Sequence, residues 1–245
     1  MLFDDIPWVE RMREEHDAFA EVLRREGAEV VYIEDFLRDV FSVPEVAEKF
    51  VDDLIQSELK RDRQQSRRFR ELFLSSRPEL MTAYAICGIY PREVESNKES
   101  LADYLPMDKS HLINPLPNMY FARDCAAAVG TSMVPCCMNT AARRREAVLM
   151  NLVLNNHPCF TGTMLLYNTD RYQMPVEGGD ILVLSKKVVA IGCSQRTSIH
   201  AVEYLARQIL NMHLGFERVM AVHLPPERAF MHLDTVMTMV DPETF

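Results

Sequence analysis

Acidic and basic side chains recur at matched positions in the second half of the sequence. Asp124 stands 19 residues before Arg143, and Glu177 stands 19 residues before Arg196. The spacing from Asp124 to Glu177 is 53 residues, and that from Glu177 to His232 is 55. A period of about 20 to 50 residues, or slightly more, is typical of repeated supersecondary units. The spacing predicts repeated units whose acids and arginines converge on a centre, and coincidence between two α/β stretches is the alternative.

Further polar residues stand in apolar surroundings near these acids. Asn118 precedes Asp124 by six residues, Asp180 follows two glycines in VEGGD, and Asp234 is two residues from His232. Singly these signals are weak, since VEGGD is also typical of a turn and His232 of a core histidine. Together, several carboxylates in a water-poor pocket need a cation, because unpaired buried charge is costly. A guanidinium suits them through its planar fork of donors, and nearby arginines could bind a carboxylate on the same ligand. The pattern points to free arginine or a close relative.

The elements that must position these residues change character along the chain. Pro7 and Gly27 bracket a predicted amphipathic helix, and residues 29–33 are expected to form a strand. From about 34 to 114 the periodicity is helical, and the arginines between 61 and 70 are interpreted as a solvated helix face. Beyond Pro117 a strand–hairpin–helix–strand plan appears twice. Its predicted elements are strand Met119–Ala122, hairpin Ala126–Val129 with Ser132–Val134, helix Thr140–Asn155 and strand Met164–Tyr167, then hairpin Ile181–Leu184 with Val188–Ile191, helix Ser198–Met212 and strand Arg218–Leu224.

Composition excludes several classes of protein. The chain has 245 residues, of which 48% are hydrophobic and 26% charged, which excludes a disordered or fibrous chain. Acidic residues outnumber basic ones by 36 to 27, so nucleic acid and anionic membrane surfaces are disfavoured as partners. No apolar run is long enough for a membrane span, and acidic residues interrupt any signal-peptide core. The six cysteines lack paired zinc-type spacing and are expected to be reduced, which predicts a cytoplasmic location.

Six motifs, in order, are similar to those of the arginine deiminase family of the guanidino-group-modifying superfamily. They are LFDD at Leu2–Asp5, PNMYFARD at Pro117–Asp124, ARRRE at Ala142–Glu146, VEGGD at Val176–Asp180, GCSQRT at Gly192–Thr197 and MHLDTVMTMVD at Met231–Asp241. The resemblance covers nearly the whole chain. It implies an α/β fold, an incomplete pseudo-fivefold α/β propeller of strand-hairpin–helix–strand units with an all-helical insertion. The units expected are 1–33 as a first propeller unit without its opening hairpin, 34–114 as the insertion, and 115–245 as units two and three with the start of a fourth.

The resemblance also implies a reaction and residue roles. The family converts L-arginine and water to L-citrulline and ammonia through a covalent amidino-cysteine, with no cofactor and no metal. Asp124 and Asp234 resemble the carboxylates that bind the guanidinium, while Glu177 and His232 resemble the acid/base pair. The residues implied to bind the rest of the substrate are Leu2, Asn118, Phe121, Arg143, Asp180 and Arg196.

The sequence also departs from the family pattern. The family nucleophile is a cysteine in a Gly-rich motif near the C-terminus, and none of the 245 residues corresponds to it. Cys125 is not expected to replace it, because Asp124 would raise the pKa of its thiol. The chain is therefore expected to be a truncated arginine deiminase, inactive alone and a homo-oligomer or complemented by a C-terminal fragment. The alternatives are a non-catalytic arginine-binding or assembly fragment and another guanidino-modifying enzyme, for amidino transfer or methylated-arginine hydrolysis.

Overall fold

A computed structural model describes residues 7–59, 63–94, 111–241 and 243–245. The chain divides into two compact units, Met1–Asn118 and Met119–Phe245. The LFDD motif with Leu2 lies outside the described residues, as does part of the arginine-rich run. No helix in the described part of the chain is both long and apolar enough to cross a membrane.

The first unit is helical over its described residues, as predicted. Its helices are α1 (Val9–Arg25), α2 (Ile33–Phe41), α3 (Pro44–Glu58), α4 (Arg63–Ser75), α5 (Pro78–Cys87) and α6 (Pro91–Val94). Four phenylalanine rings from α2, α3 and α4 meet at its centre, with centroids 5.1 to 5.9 Å apart: Phe41, Phe50, Phe69 and Phe73. These rings are buried, and such aromatic packing stabilises the unit beyond the area it removes from water.

The predicted strand at residues 29–33 is wrong. Residues 28–32 have no regular structure, and Ile33 begins α2. Glu34 and Asp35 lie in the first turn of α2, where acidic side chains are favourable, and Leu37, Val40 and Phe41 bury one face at helical spacing. The described part of this unit contains no strand, so residues 29–33 have no ladder to join.

Helix α1 confirms the bounds that Pro7 and Gly27 predicted. Its apolar face is nevertheless exposed: Ala20 is the one buried residue of the helix, while Phe19 is 63% and Val22 53% exposed. Gly27 has φ +88°, a conformation that favours glycine, and it follows the last helical turn. Periodicity therefore identified the helix correctly without showing what covers its apolar side.

The second unit contains a hairpin followed by a helix twice, and a full strand follows the second helix only. Strands β1 (Ala126–Val129) and β2 (Ser132–Pro135) pair antiparallel, followed by α7 (Arg144–Asn156) and a parallel bridge from Met133 to Leu165. Strands β3 (Ile181–Val183) and β4 (Val188–Cys193) also pair antiparallel. Helix α8 (Ile199–Asn211) then leads to β5 (Arg218–His223), which pairs parallel with β4. The two hairpins, the two helices and the last strand are confirmed.

Two predicted strands of this unit are wrong. Residues 119–122 form no strand, and a short 3-10 helix spans Ala122–Cys125. Residues 164–167 contribute only the single bridge at Leu165. A short apolar run indicated extended chain in both places, but a strand also needs a continuous partner ladder.

The core of the second unit lies between the β3–β4–β5 sheet and α8. Ile181, Val189 and Ile191 from the sheet pack in one cluster with Leu205 and Ile209 from α8. Val129 and Val134 of the first hairpin join the same cluster. The two repeats share one apolar core.

Candidate active site

His232 and Glu177 form a buried pair. Nε2 of His232 lies 2.7 Å from Oε2 of Glu177, and both side chains are almost completely inaccessible. Burial disfavours the charged imidazole, but the hydrogen bond to Glu177 and the charges of Asp124, Glu177 and Asp180 outweigh it, so the pKa of His232 is raised. The imidazole is therefore held in a setting that favours its protonated form.

Glu177 is itself fixed by two surrounding segments. Its Oε1 accepts a hydrogen bond from the Asn139 backbone N–H at 3.1 Å, and its own N–H donates to Oγ1 of Thr197 at 3.1 Å. Nη1 of Arg196 lies 3.9 Å from the same Oε1. The carboxylate therefore has partners on both oxygens and a defined orientation.

The carboxylate of Asp124 is paired with a buried guanidinium of the same chain, that of Arg143. Nη1 of Arg143 lies 2.6 Å from Oδ2 of Asp124, and Nε of Arg143 lies 2.8 Å from Oε2 of Glu146. Nδ1 of His232 is 3.7 Å from the other Asp124 oxygen. Burial opposes the charged form of Arg143, but hydrogen bonds to Asp124 and Glu146 raise its pKa overall. The arrangement shows that Asp124 can accept a guanidinium group here.

Asp234 lies at the more open side of the cluster. Its Oδ2 is 3.1 Å from Nε of Arg123, and its side chain is 26% exposed. Arg123 also donates from Nη2 to the Ile181 carbonyl at 2.9 Å. Asp234 is thus oriented by a half-exposed arginine, whereas Asp124 is buried and paired with a buried one.

Three glycines allow the backbone segments to approach this closely. A Cβ on Gly178 would lie 2.0 Å from the Arg123 carbonyl oxygen, and one on Gly179 would lie 2.8 Å from the His232 ring. A Cβ on Gly192 would lie 2.3 Å from Oδ1 of Asp180. The glycines of VEGGD and GCSQRT therefore make room for the site, as a close backbone approach requires.

The structure brings most of the predicted residues together in the second unit. They are Asp124, Glu177, His232, Asp234, Asp180, Arg143 and Arg196. Phe121 contributes its carbonyl, which accepts from Nη2 of Arg143 at 3.3 Å. Asn118 belongs to the first unit, and Leu2 lies outside the described residues.

Some of these positions differ from the roles the resemblance implied. Arg143 is 4% exposed in its side chain and is engaged with Asp124 and Glu146 rather than open to a ligand carboxylate. Asp180 is fully buried and accepts from Ser194 and from the Leu233 backbone. Arg196 is partly exposed and donates to Oγ1 of Thr140 and, at 3.4 Å, to the sulfur of Met231.

Sequence reasoning assigned no role to Arg123, Glu146 and Ser194. Each lies inside one of the motifs quoted above. Nearness in sequence to an assigned residue was therefore the signal that could have identified it. Arg123 precedes Asp124, Glu146 is three residues after Arg143, and Ser194 is two before Arg196. Which oxygen or nitrogen each one contacts depends on the folding of separate segments against one another.

The nearby thiols are poorly suited to nucleophilic attack. Burial, with the charge of Glu146, raises the pKa of Cys125 to about 12. Burial also raises the pKa of Cys136 well above its usual value and raises that of Cys137. Only the thiolate is a strong nucleophile, which agrees with the expectation that Cys125 does not replace the family nucleophile.

Asp124, Glu177 and His232 also have a geometry that a metal ion could use. Each offers a ligand atom, and these atoms lie within 4.8 Å of one another. Carboxylate oxygens and imidazole nitrogen are ligands that several divalent cations accept. Two of the three are, however, already joined by the Glu177–His232 hydrogen bond, and Arg143 supplies a cation to Asp124.

A family model and the curated relatives of this chain indicate the same family. A family model described as arginine deiminase matches residues 1–245. Arginine deiminase 1 of Staphylococcus epidermidis is 39% identical over 247 residues, and an arginine deiminase of Staphylococcus aureus is 38% identical over the same length. Each alignment covers 100% of this chain and 60% of the relative, so the chain spans about three fifths of these proteins.

Solved structures overlap the chain only in part. A DDAH from Pseudomonas aeruginosa complexed with citrulline has a TM-score of 0.37 and 22% identity, covering 49% of this chain and 44% of that one. A dimethylarginine dimethylaminohydrolase adduct with S-methyl-L-thiocitrulline has a TM-score of 0.36 and 21% identity, covering 46% and 42%. The match of the family model over all 245 residues decides the assignment: this chain belongs to the arginine deiminase family.

Proposed function

We propose that this chain supplies the guanidinium-binding and proton-transfer part of an arginine deiminase, which hydrolyses L-arginine to L-citrulline and ammonia. The observation that carries the proposal is the buried His232–Glu177 pair beside Asp124, with Nε2 to Oε2 at 2.7 Å and Nδ1 to Oδ1 at 3.7 Å. The close relatives are named arginine deiminases. The proposal extends the fold to an incomplete five-unit α/β propeller, supported by the two hairpin–helix repeats.

Asp124 and Asp234 would bind the substrate guanidinium from two sides. A carboxylate accepts two parallel N–H bonds from a guanidinium, and charge-assisted bonds of this kind are the strong ones. Arg143 already makes such a contact with Asp124 at 2.6 Å. A bound arginine would replace the Arg143 guanidinium on Asp124, and the released Arg143 would join Arg196 in binding the ligand carboxylate.

His232 and Glu177 would handle the protons. A thiolate adds to the guanidinium carbon, and the protonated imidazole of His232 delivers a proton as the C–N bond breaks and ammonia leaves. The amidino-cysteine is then attacked by water, whose proton returns to the His232–Glu177 pair, and the C–S bond breaks to release citrulline. The raised pKa of His232 favours the protonated form that the first step needs.

The nucleophile itself is the missing element. Cys125, Cys136 and Cys137 all have raised pKa values, and the Gly-rich cysteine motif of the family is not among the 245 residues. We therefore propose that a segment outside these 245 residues supplies the thiolate and that these residues by themselves do not turn over L-arginine. Loss of a covalent nucleophile costs on the order of a million-fold in kcat.

The test combines binding with turnover. L-arginine is titrated into the chain by calorimetry, and citrulline release is measured in the same preparation. Asp124→Asn is expected to weaken binding by about tenfold or more, because a hydrogen bond to a charged group contributes about 1.5–3 kcal/mol. The control is Asp241→Asn, an exposed aspartate that accepts from the Glu243 backbone. Ordinary citrulline release, or equal binding by Asp124→Asn, would contradict the proposal.

The same titration separates the alternatives. If the chain binds arginine but releases no citrulline after a C-terminal segment from a relative is added, a non-catalytic arginine-binding fragment is favoured. Release of citrulline from methylated arginine, or transfer of the amidino group to an amine, would favour another guanidino-modifying enzyme. Chelator is expected to leave arginine binding unchanged, because a guanidinium rather than a metal balances the charge of Asp124, that of Arg143 before binding and that of the ligand afterwards.

A further inference from the structure

We infer that Asp180 is a positioning residue that sets the location of both His232 and Asp234, rather than a group that binds the ligand. Oδ1 of Asp180 accepts a hydrogen bond at 2.9 Å from the backbone N–H of Leu233, the residue between His232 and Asp234. One carboxylate oxygen thereby fixes the turn that presents both side chains. The catalytic meaning of this inference rests on the proposed function, whereas the hydrogen bonds from which it is drawn do not.

The Asp180 carboxylate is itself held from the side of β4. Oδ2 accepts from Oγ of Ser194 at 2.7 Å. Oγ of Ser194 in turn accepts from the backbone N–H of Arg196 at 2.9 Å and of Thr197 at 3.1 Å. Asp180 therefore connects the His232–Asp234 turn to the loop that carries Arg196, two parts of the site that are far apart in sequence.

The backbone around Asp180 is shaped for this contact. Asp180 closes the 3-10 helix Gly178–Asp180, and its N–H donates to the Glu177 carbonyl at 3.0 Å. Glu177, which binds the His232 ring, and Asp180, which binds the turn beside it, thus belong to one rigid turn. Gly192 leaves the space that the Asp180 carboxylate fills, since a Cβ there would lie 2.3 Å from Oδ1.

The burial of Asp180 excludes a ligand-binding role for its carboxylate. The residue has 0% exposure, and both oxygens have donors from the protein. Burial raises its pKa, while the hydrogen bonds from Thr197, Ser194 and Leu233 act in the opposite direction. What Asp180 supplies is therefore an oxygen acceptor at a fixed place, which the amide of asparagine also supplies.

This distinction makes the test specific. Asp180→Ala removes the acceptor, whereas Asp180→Asn keeps an oxygen for the Leu233 N–H and loses only the acceptor for the Ser194 hydroxyl, whose two lone pairs already accept from the Arg196 and Thr197 backbone. The first readout is the pKa of His232, measured by an NMR titration of the histidine-labelled chain without arginine. The groups that face His232 are Glu177, Asp124 and Asp180. The second readout is the calorimetric Kd for L-arginine.

We expect Asp180→Ala to bring the His232 pKa down toward its ordinary value of about 6.5 and to weaken arginine binding about tenfold, because small misplacements of a site cost this much. Asp180→Asn should keep most of the raised pKa and bind within about threefold of the parent. The control is Ser198→Ala, which removes the cap of α8 and destabilises the same unit without removing a hydrogen bond of His232, Asp234 or Asp180.

Three outcomes would overturn the inference. They are an Asp180→Asn variant as impaired as Asp180→Ala, an Asp180→Ala variant with an unchanged His232 titration, and a Ser198→Ala variant that shifts that titration equally. If Asp180→Ala does not fold, Ser194→Ala replaces it and should give a smaller shift in the same direction. A parent chain that fails to bind arginine would refute the proposed function, while the His232 titration would still decide the role of Asp180.

Discussion

At His232, burial and hydrogen bonding act in opposite directions on one imidazole. Burial lowers its pKa, and the Glu177 hydrogen bond with the neighbouring charges raises it further than burial lowers it. The same residues therefore link protonation to folding. A group whose pKa is higher in the folded state binds its proton more tightly there, so protonation stabilises the fold.

The pH dependence of stability follows from this shift. The contribution of His232 should be fully present below its unfolded pKa of about 6.5 and be lost as pH rises through the higher folded value. We expect the free energy of unfolding of Glu177→Gln to fall less than that of the parent as pH rises between the unfolded and folded pKa of His232. Urea unfolding of the parent and Glu177→Gln over a pH series measures it, with Glu203→Gln, an exposed helix residue, as control. Parallel curves for parent and Glu177→Gln would contradict the prediction.

The thiol of Cys125 is predicted to be unreactive. With a pKa of about 12 it is ionised to about one part in ten thousand at pH 8, and it is also buried. Cys87 and Cys159 are exposed and serve as internal references. Alkylation of the folded chain with iodoacetamide, read by mass spectrometry, should label these two first. Labelling of Cys125 as fast as Cys87 would restore it as a candidate nucleophile.

At the scale of elements, the site is built from short turns that lie against each other. The 3-10 helix Gly178–Asp180 lies against the 3-10 helix Ala122–Cys125, so the loops carrying Glu177 and Asp124 are in contact through backbone atoms. The geometry of this contact depends on the absence of a side chain at Gly178.

Gly178→Ala tests this contact. The new Cβ would lie 2.0 Å from the Arg123 carbonyl oxygen and 3.2 Å from that of Ala126. Because neither atom belongs to a flexible side chain, we expect destabilisation of about 1–3 kcal/mol and at least about tenfold weaker arginine binding. Gly162→Ala is the control: it has a φ of +82° but no atom within 4 Å, so it should cost stability without changing affinity. Unchanged affinity in Gly178→Ala would argue against coupling of the two turns.

At the scale of the molecule, apolar side chains and a strand edge remain open. Strand β5 is the last strand of the β3–β4–β5 sheet among the described residues, and Met220 on it is 50% exposed. Val236 and Val240 beyond it are 49% and 72% exposed. Exposed edges and apolar surface favour association between chains.

We therefore predict that the chain self-associates at micromolar concentration, as light scattering would measure. Met220→Lys should reduce association, because a lysine on an edge strand opposes further pairing. Ile199→Lys places the same charge on α8, at a residue that is 55% exposed, and should have a smaller effect. A parent chain that stays a cooperative monomer, or equal effects of the two variants, would refute this role for β5.

Much of the fold and the membership of the site could be predicted from local patterns. Periodicity and turn residues, which act within a few positions, predicted the hairpins at Gly130 and at Ser185–Lys186, helices α7 and α8, and strand β5. The helical character of the first unit follows in the same way. Residues 29–33 and 119–122 could not be predicted, because a short apolar run becomes a strand only if a partner strand lies beside it.

Residue types and spacing by themselves determined that acids, arginines and a histidine would recur in repeated units and that a guanidinium would suit them. Only the tertiary structure decided which partner each one has. Arg143 lies on Asp124, Arg123 on Asp234, and Asp180 on the Leu233 backbone instead of facing a ligand. The physical reason is the sequence separation of the contacting residues. Periodicity reflects contacts within a turn or a hairpin, whereas these hydrogen bonds join residues 19 to 111 positions apart. They depend on how the two repeats pack on a common core.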